Sequence, residues 1–478
     1  MTSDSLGNPV HLEHPASLAA VNDFVEGFIA CETRAVNVLG VASNEGGAIV
    51  QAYCAALHMF AESHDSPRNA RPFIASALAN AAAASPREQL FVAAVAAWVD
   101  GDLPRACRLH EQLAREFPRD LASLKLGQYH LFNQGDAPGM LRLALACLPH
   151  SGDVPYLHGM AAFAWEQCHL LEQAERAARK AIAICHKEPW AQHALAHVML
   201  TQGRLGEGLQ FMHQVSASWT GLNSFMVTHN WWHMALFALD LGHDEEVLRL
   251  YDRQVWGVVK EYSQDQIGAV SLLARLELAG VDVGQRWQDV ANYLSTRTND
   301  HVLPFLDLQY LYGLARAGRP EADVLMRGIE AFCAAAPPPV AQVGSAHAAA
   351  RTGKQAGSAH VAPLVAASAA AGEVWRRVCL PAGRGLLAHA RGDYALAVDQ
   401  LGTALPRLME IGGSHAQRDL FEQIHLDALM RSGRWSAAQQ VLQQRLCAQP
   451  ESVRLRRQAG HVYSALGLDA VFSGSSRH

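Results

Sequence analysis

The sequence reads W-A-Q-H-A-L-A-H at residues 190–197, G-R-L-G-E-G at 203–208 and H-N-W-W-H-M-A-L-F-A-L-D-L-G-H-D-E-E at 229–246. Each of the pairs His193/His197 and His229/His233 lies on one face of a helix, because residues four apart are neighbours on a helix surface. The second pair follows the first after 36 residues, close to the roughly 34 residues of one repeated helix hairpin. The stretch therefore predicts two equivalent helices in neighbouring repeats, with their histidines side by side.

The same alternation of apolar helical segments and short glycine breaks extends along most of the chain. The breaks pair a glycine with a polar residue at Gly101-Asp102, Gly135-Asp136, Gly203-Arg204, Gly242-His243, Gly318-Arg319, Gly392-Asp393 and Gly433-Arg434. Glycine ends a helix in the left-handed conformation at the lowest steric cost. The first two breaks are 34 residues apart, and the third follows after 68, with His169 at the midpoint. Since no stretch shows convincing strand alternation, we predict an all-α, tetratricopeptide-like α-solenoid, a superhelix of antiparallel helix hairpins.

Changes in composition along the chain predict its organisation. Three consecutive prolines at 337–339 stop a helix, and small polar residues follow them. The chain ends in F-S-G-S-S-R-H, which is typical of a disordered tail. The predicted segments are a flexible lead-in at 1–15, helical repeats at 16–333, a linker or loop at 334–360, C-terminal helical repeats at 361–466 and a tail at 467–478.

The bulk composition limits the classes of partner. The 478 residues are 50% hydrophobic and 18% charged, with a net charge of −6 and no large basic block, so we expect no nucleic acid partner. No apolar run approaches the roughly 20 residues of a membrane span, and the N-terminus lacks a signal peptide pattern. Nine cysteines without CxxC spacing indicate reduced thiols and a cytoplasmic protein. The sequence is compatible with a protein that forms an oligomer.

Two histidine pairs in register are typical of a metal site, because histidines four apart supply two nitrogens from one helix to Zn or another transition metal. First helices line the concave groove of tetratricopeptide arrays, so the four histidines are expected to share one lumen. Asp307 falls in the equivalent turn of a later first helix and is the candidate carboxylate. The alternative is that the histidines are packed core residues. A zincin assignment fails because no HExxH is present.

Other side chains between residues 160 and 240 are candidates for ligand binding or acid–base catalysis. Trp231 and Trp232 could stack on a ligand or cation, with Asn230 beside them, or pack into a neighbouring helix. Glu166 interrupts the apolar helix A-A-F-A-W-E-Q-C. It is a candidate acid or base with a shifted pKa, and exposure to solvent is the alternative.

The segment G-G-S-H-A-Q-R-D at 412–419 opens a helix. Ser414 and Gln417 fit a capping box, which leaves His415, Arg418 and Asp419 without an explanation. Free amide groups at the helix start together with Arg418 would suit a carboxylate or phosphate. The alternative is an internal contact between Arg418 and an aspartate.

Several strings in the chain resemble the tetratricopeptide repeat protein 38 family. They are A-A-W-V-D-G-D-L-P-R-A-C (96–107), A-L-A-H-V (194–198), H-N-W-W-H-M-A-L (229–236), L-Y-D (250–252) and G-G-S-H-A-Q-R-D (412–419). The resemblance covers most of the chain and implies a superhelical tetratricopeptide-like fold. Peptide or protein binding follows from it by analogy only.

The sequence as a whole predicts a protein that binds a small molecule or extended peptide in a concave groove with a His/Trp-rich centre. One alternative is an enzyme with a metal-assisted hydrolytic or oxidative site, in which His193, His197, His229 and His233 hold Zn or Fe and Glu166 or Asp307 serves as acid or base. A protein–protein scaffold is the other alternative. Whether a reaction is catalysed stays open at this point.

Overall fold

The computed structural model describes residues 2–335 and 369–468, and both parts are helical. The first part contains α1 Leu18–Ile29, α2 Ala48–Met59, α3 Ser66–Asn80, α4 Pro86–Val99, α5 Leu103–Glu116, α6 Leu121–Asn133, α7 Ala137–Ser151, α8 Pro155–Gln167, α9 Leu171–Ile184, α10 Pro189–Thr201, α11 Leu205–Val215, α12 Ser224–Asp240, α13 Asp244–Leu250, α14 Ser263–Leu278, α15 Arg286–Leu294, α16 Pro304–Arg316 and α17 Glu321–Ala335. The second part contains α18 Ala369–Val374, α19 Leu380–Ala390, α20 Tyr394–Ala404, α21 His415–Arg431, α22 Trp435–Ala448 and α23 Val453–Ala465.

Short irregular elements complete the described chain. Two-residue strands β1 Thr2–Ser3 and β2 Pro9–Val10 pair antiparallel. Turns of 3₁₀-helix lie at Pro15–Ser17, Thr33–Gly40, Ala81–Ala83, Ser216–Ser218, Ser295–Arg297 and Leu405–Ile411, and turns of π-helix lie at Tyr251–Val255 and Trp375–Cys379. The prediction of an all-α solenoid of helix hairpins is confirmed. No helix among residues 2–335 and 369–468 is long and apolar enough to cross a membrane.

The glycine breaks end first helices as the sequence predicts. All seven glycines of the predicted series have a positive φ, from 67° at Gly318 to 83° at Gly392. His169, at the position of the missing glycine, adopts the same conformation with φ 57°. Each break reverses the chain and brings the second helix back against the first, which produces the hairpin.

First and second helices differ in how much of their surface is buried. The second helix α9 buries only the stripe Ala174, Ala178 and Ala181. The first helix α10, in contrast, buries nearly every side chain from Pro189 to Leu200. Because α10 and its equivalents are covered on both faces, polar residues on them have to find partners inside the protein.

The N-terminal residues, for which the sequence predicts a flexible lead-in, are folded against the repeats from residue 2 onwards. Leu6 and Val10 are buried, and the carboxylate of Asp4 accepts hydrogen bonds from the backbone amides of Leu6 and Asn8. Arg119 donates a hydrogen bond to the Leu6 carbonyl. Buried apolar residues and satisfied backbone groups hold this segment in place. A polar composition alone did not reveal these contacts.

The C-terminal helices fold back onto the ends of the earlier first helices. Arg454, just inside α23, pairs with Asp240 at the end of α12 at 2.9 Å. The Gln449 side chain donates to the carbonyl of Leu200 in α10 at 3.1 Å. The solenoid is therefore closed along the edge that carries the glycine turns. The predicted linker from residue 336 to 360 and the predicted tail from residue 469 lie outside the described residues.

Candidate metal centre and adjoining cleft

The two histidine pairs converge between α10 and α12. Four side-chain nitrogens, one from each of His193, His197, His229 and His233, all lie within 4.8 Å of one another, and all four residues are buried. The Nε2 atom of His193 is 3.1 Å from the Nε2 atoms of both His197 and His229. Nitrogens bound at about 2.1 Å to a tetrahedral ion lie about 3.4 Å apart. The spacing of the four imidazoles is therefore close to that of a four-histidine metal site.

Local capping fixes the two helices that carry the histidines. Glu188 precedes α10 and accepts a hydrogen bond from the Ala191 amide. Asn223 precedes α12 and accepts from the Met226 amide at 2.9 Å. Capping side chains of this kind set where a helix begins, and the four-residue spacing then points each histidine pair to one side.

Burial favours the neutral form of three of the four imidazoles. It lowers the pKa of His229 to about 3 and holds the pKa values of His193 and His233 well below the usual range. Both ring nitrogens of His233 and the Nδ1 atom of His193 have no hydrogen-bond partner. Neutral imidazoles with free nitrogens are the form in which histidine binds metal.

Glu166 of α8 lies beside the histidine cluster and is fully buried, so the alternative of solvent exposure is wrong. Its Oε2 atom is 3.5 Å from the Nδ1 atom of His197. Burial raises the pKa of Glu166, but the interactions with His197 and His415 and the hydrogen bond from Gln167 outweigh this and lower it overall. A carboxylate behind a ligating histidine is the usual outer-shell partner in metal sites.

Asp307 does not join the histidine cluster. Its Oδ2 atom accepts a hydrogen bond from the Nδ1 atom of His301 at 2.6 Å, and the carboxylate is fully buried. Burial raises the pKa of Asp307. The expectation that Asp307 shares a lumen with the four histidines is therefore corrected. Asp307 lies in the expected turn of α16, but its carboxylate is hydrogen-bonded to His301, in the segment just before that helix.

The polar and aromatic residues between the second histidine pair are packed inside the fold. Trp232 is 1% exposed and stacks on the His229 ring at 5.2 Å. Trp231 packs edge-on against Trp219 at 4.8 Å. Asn230 is buried, and neither polar atom of its side chain has a hydrogen-bond partner. Trp232 therefore packs against the histidine centre, as the alternative of packing into a neighbouring helix has it, whereas Trp231 is half-buried and contacts Trp219.

The helix start at residues 412–419 forms a capping box between Ser414 and Gln417. Arg418 donates to the carbonyls of Gly412 and Gly413 and contacts the Nδ1 atom of His415. Asp419 pairs with Arg445 at 2.6 Å instead of with Arg418. The capping prediction is confirmed, and the expected contact between Arg418 and an aspartate is replaced by hydrogen bonds to carbonyls.

A cleft of about 700 Å³ lies between the C-terminal helices and the ends of α8, α10 and α12. It is lined by residues that the sequence pointed to, His415, Arg418 and Asp419, and by others that it did not. Gln167 and Thr201 line the cleft and also donate hydrogen bonds to Glu166. Glu166 therefore lies between the histidine cluster and the cleft.

Arg275 and Arg454 line the cleft as well, and sequence reasoning did not find them. Arg275 is 2% exposed and its guanidinium lies 5.5 Å from the Trp232 ring. The sequence did contain an indication of Arg275, because a charged arginine interrupts the mainly apolar run A-V-S-L-L-A-R-L-E-L at 269–278. For Arg454 no local signal existed, because its partner Asp240 is 214 residues away in the chain.

Comparisons with solved structures give remote likenesses, of which two are described below. No protein family model matches the chain. A structure of the human IFIT1 dimer with PPP-AAAA is similar at 10% sequence identity, covering 95% of this chain and 93% of that chain, with a TM-score of 0.40. A structure of Naa15/Naa10 bound to HypK-THB is similar at 11% identity, covering 96% of this chain and 67% of that chain, with a TM-score of 0.24. Likenesses at this level carry no argument about what this chain binds.

Proposed function

We propose that this protein is a metal-binding helical-repeat protein, in which His193, His197, His229 and His233 hold one divalent transition metal ion, Zn or Fe. The observation that carries the proposal is the convergence of four buried ligand nitrogens within 4.8 Å of one another. The residues fit such an ion in number, ligand type and spacing.

A hydrogen-bonded histidine core explains the cluster less well. The Nε2 atom of His193 lies 3.1 Å from the Nε2 atoms of both His197 and His229, but one ring nitrogen can make only one of these N–H···N hydrogen bonds, as donor or as acceptor. Both nitrogens of His233 also have no partner, and burying an unsatisfied polar group costs about 1–3 kcal/mol. A bound metal would pair with one nitrogen of each histidine, and Glu166, 3.5 Å from His197, would orient that ring.

The cleft supports the binding of a small molecule next to this centre. Its volume of about 700 Å³ falls within the usual range for small-molecule sites. The segment before α21 and the C-terminal helices form one wall of the cleft, opposite the ends of α8, α10 and α12. We therefore favour a small molecule over an extended peptide, and a binding site over a scaffold for a protein partner.

An enzyme is the second candidate function, because Glu166 contacts the centre and also two residues that line the cleft, Gln167 and Thr201. Its carboxylate is 3.5 Å from His197 and accepts a hydrogen bond from Thr201 on the cleft side. A bound metal would supply Lewis acidity or redox chemistry. Glu166 would hold or move a proton between His197 and a ligand in the cleft. Metal-assisted hydrolysis and oxidation are the reaction classes that we propose.

Elemental analysis of protein purified without a polyhistidine tag tests the metal centre. We expect about one Zn or Fe per chain, and loss of the metal in His229→Ala and His233→Ala with an unchanged helical circular dichroism spectrum. His213→Ala is the matched control, because the His213 side chain is 53% exposed on the outer surface. If the protein stays metal-free near neutral pH after incubation with Zn²⁺ or Fe²⁺, the proposal of a metal centre is wrong. Only the proposal of a metal-free ligand site would then remain.

We also propose a cytoplasmic location. All nine cysteines are free thiols, and most of them are buried. This pattern is typical of proteins in a reducing compartment.

A further inference from the structure

The cleft has an apolar side that the metal centre does not use. Leucine and methionine side chains from α12 and from the segment before α21 form it, namely Leu236, Leu239, Leu405, Leu408 and Met409. An apolar surface inside a cleft favours a ligand with an apolar body, because burying that body removes it from water.

The carboxylates of the cleft already have cationic partners. Asp240 accepts hydrogen bonds from Arg454 and Ser452 at 3.0 and 2.9 Å. Arg445 contacts Asp419 at 2.6 Å and Glu422 at 3.3 Å. Each of these acids therefore contacts an arginine, with Arg445 shared between Asp419 and Glu422.

Guanidinium donors remain after those pairs are formed. Arg454 is 4% exposed, and its Nη1 atom is buried without a hydrogen-bond partner. Arg418 bonds only to carbonyls and to His415, and no carboxylate of the described chain lies within ion-pair distance of it. Arg275 reaches its nearest carboxylate, Asp419, only at 3.7 Å. Arg275 instead donates to the Ser271 hydroxyl and the Ala416 carbonyl. Both Arg275 and Arg418 thus bond mainly to uncharged groups and can still pair with an anion.

We propose that the cleft binds a small amphipathic carboxylate, whose anionic group pairs with Arg418 and whose apolar body lies along the leucine-rich side. An arginine fork matches the two oxygens of a carboxylate. The assignment rests on the part of the proposed function that places a small molecule in the cleft. It does not require the metal.

The electrostatics of the two buried arginines agree with this ligand class. Burial lowers the pKa of Arg418 and of Arg275 to about 10 in each case, and nearby carboxylates only partly offset it. A guanidinium that is buried and incompletely paired is stabilised by an added anion.

The position of the ligand connects it to the buried centre. His415 and Thr201 line the cleft, and Thr201 bonds to Glu166 next to His197. The ligand site and the histidine cluster would therefore be connected through Thr201 and Glu166.

The first test compares three probes of equal length on the wild-type protein: hexanoate, hexylamine and 1-hexanol. Cys168 lines the cleft and is half-buried, whereas Cys447 is exposed elsewhere. Hexanoate should slow alkylation of Cys168, followed by peptide mass spectrometry, and leave Cys447 unchanged. Equal protection by hexanol would overturn the carboxylate assignment. Stronger protection by hexylamine would overturn it too and would indicate that helix C-terminal carbonyls outweigh the guanidinium groups.

The second test uses variants and calorimetric titration with hexanoate. Arg418→Gln should weaken binding at least about tenfold, whereas Arg142→Gln should not, because Arg142 is 63% exposed on the outer surface. Chelator-treated protein and His233→Ala should both still bind hexanoate. If metal content proves to be zero and hexanoate still binds, the metal proposal fails alone. If metal is present and hexanoate does not bind or binds Arg418→Gln equally well, the carboxylate proposal fails alone.

Discussion

The Nε2 atoms of His193 and His229 lie 3.1 Å apart, although 36 residues separate them in the chain. The contact joins equivalent positions of α10 and α12, the first helices of neighbouring hairpins. The contact forms because α11 and the turns on either side of it have the right length. They bring α12 back beside α10 with the two histidine pairs at the same level. A change in that spacing would separate the two halves of the histidine centre.

Zinc should stabilise the wild-type protein and fail to stabilise His233→Ala. A ligand that binds only the folded state at a hundred times its Kd adds about 2.7 kcal/mol, and His233 supplies one of the converging nitrogens. The measurement is the melting temperature with and without Zn²⁺ after chelator treatment. His213→Ala is the control and should respond like the wild type. An equal shift in His233→Ala would show that zinc binds elsewhere.

The metal-free protein should lose stability as the pH falls from about 6.5 towards 3. Burial lowers the pKa of His130 to about 3, so the unfolded chain takes up a proton in this window that the folded protein does not. The free energy of unfolding therefore falls by up to about 1.4 kcal/mol per pH unit for such a histidine. His130→Gln should flatten the pH dependence measured by urea denaturation at pH 7 and pH 5. Slopes identical to those of His213→Gln, the exposed control, would contradict this.

Ser414→Ala should reduce the free energy of unfolding by about 1 kcal/mol without changing metal content. Ser414 accepts the Gln417 amide at the start of α21, and its own amide donates to the Gln417 side chain. Chemical denaturation measures the loss. Ser432→Ala, at the other end of the same helix, provides a comparison without a capping box. A changed metal stoichiometry in Ser414→Ala would mean that the helix start has a direct role in the centre.

Asp307→Asn should destabilise the fold by about 1–3 kcal/mol and leave the metal bound. The substitution removes the charged acceptor for His301 at a buried position. Denaturation and elemental analysis on the same sample separate the two effects. Asp65→Asn, at a position 52% exposed, is the matched control. If Asp307→Asn is still folded but has lost its metal, Asp307 does contribute to the metal centre.

Much of the architecture could be predicted because its causes are local. The helices that end at Gly101, Gly135 and Gly203 need a residue in the left-handed backbone conformation at that position. Glycine adopts this conformation at low cost in any sequence context. The four-residue histidine spacing and the common turn register likewise predicted that His193 and His229 would face each other. The partner of Asp307 could not be predicted, since the path of the residues before α16 decides which side chain reaches that carboxylate.

The sequence by itself determined the hairpins, the repeat length and the side of each first helix that carries the histidines, because helix periodicity and turn chemistry act over a few residues. Only the tertiary structure decided that Glu166 lies behind His197 and that the C-terminal helices close the solenoid through Arg454 and Asp240. These contacts join positions far apart in the chain. They form because buried charges and backbone groups need partners once water is excluded, and the superhelical path determines which partners come within reach.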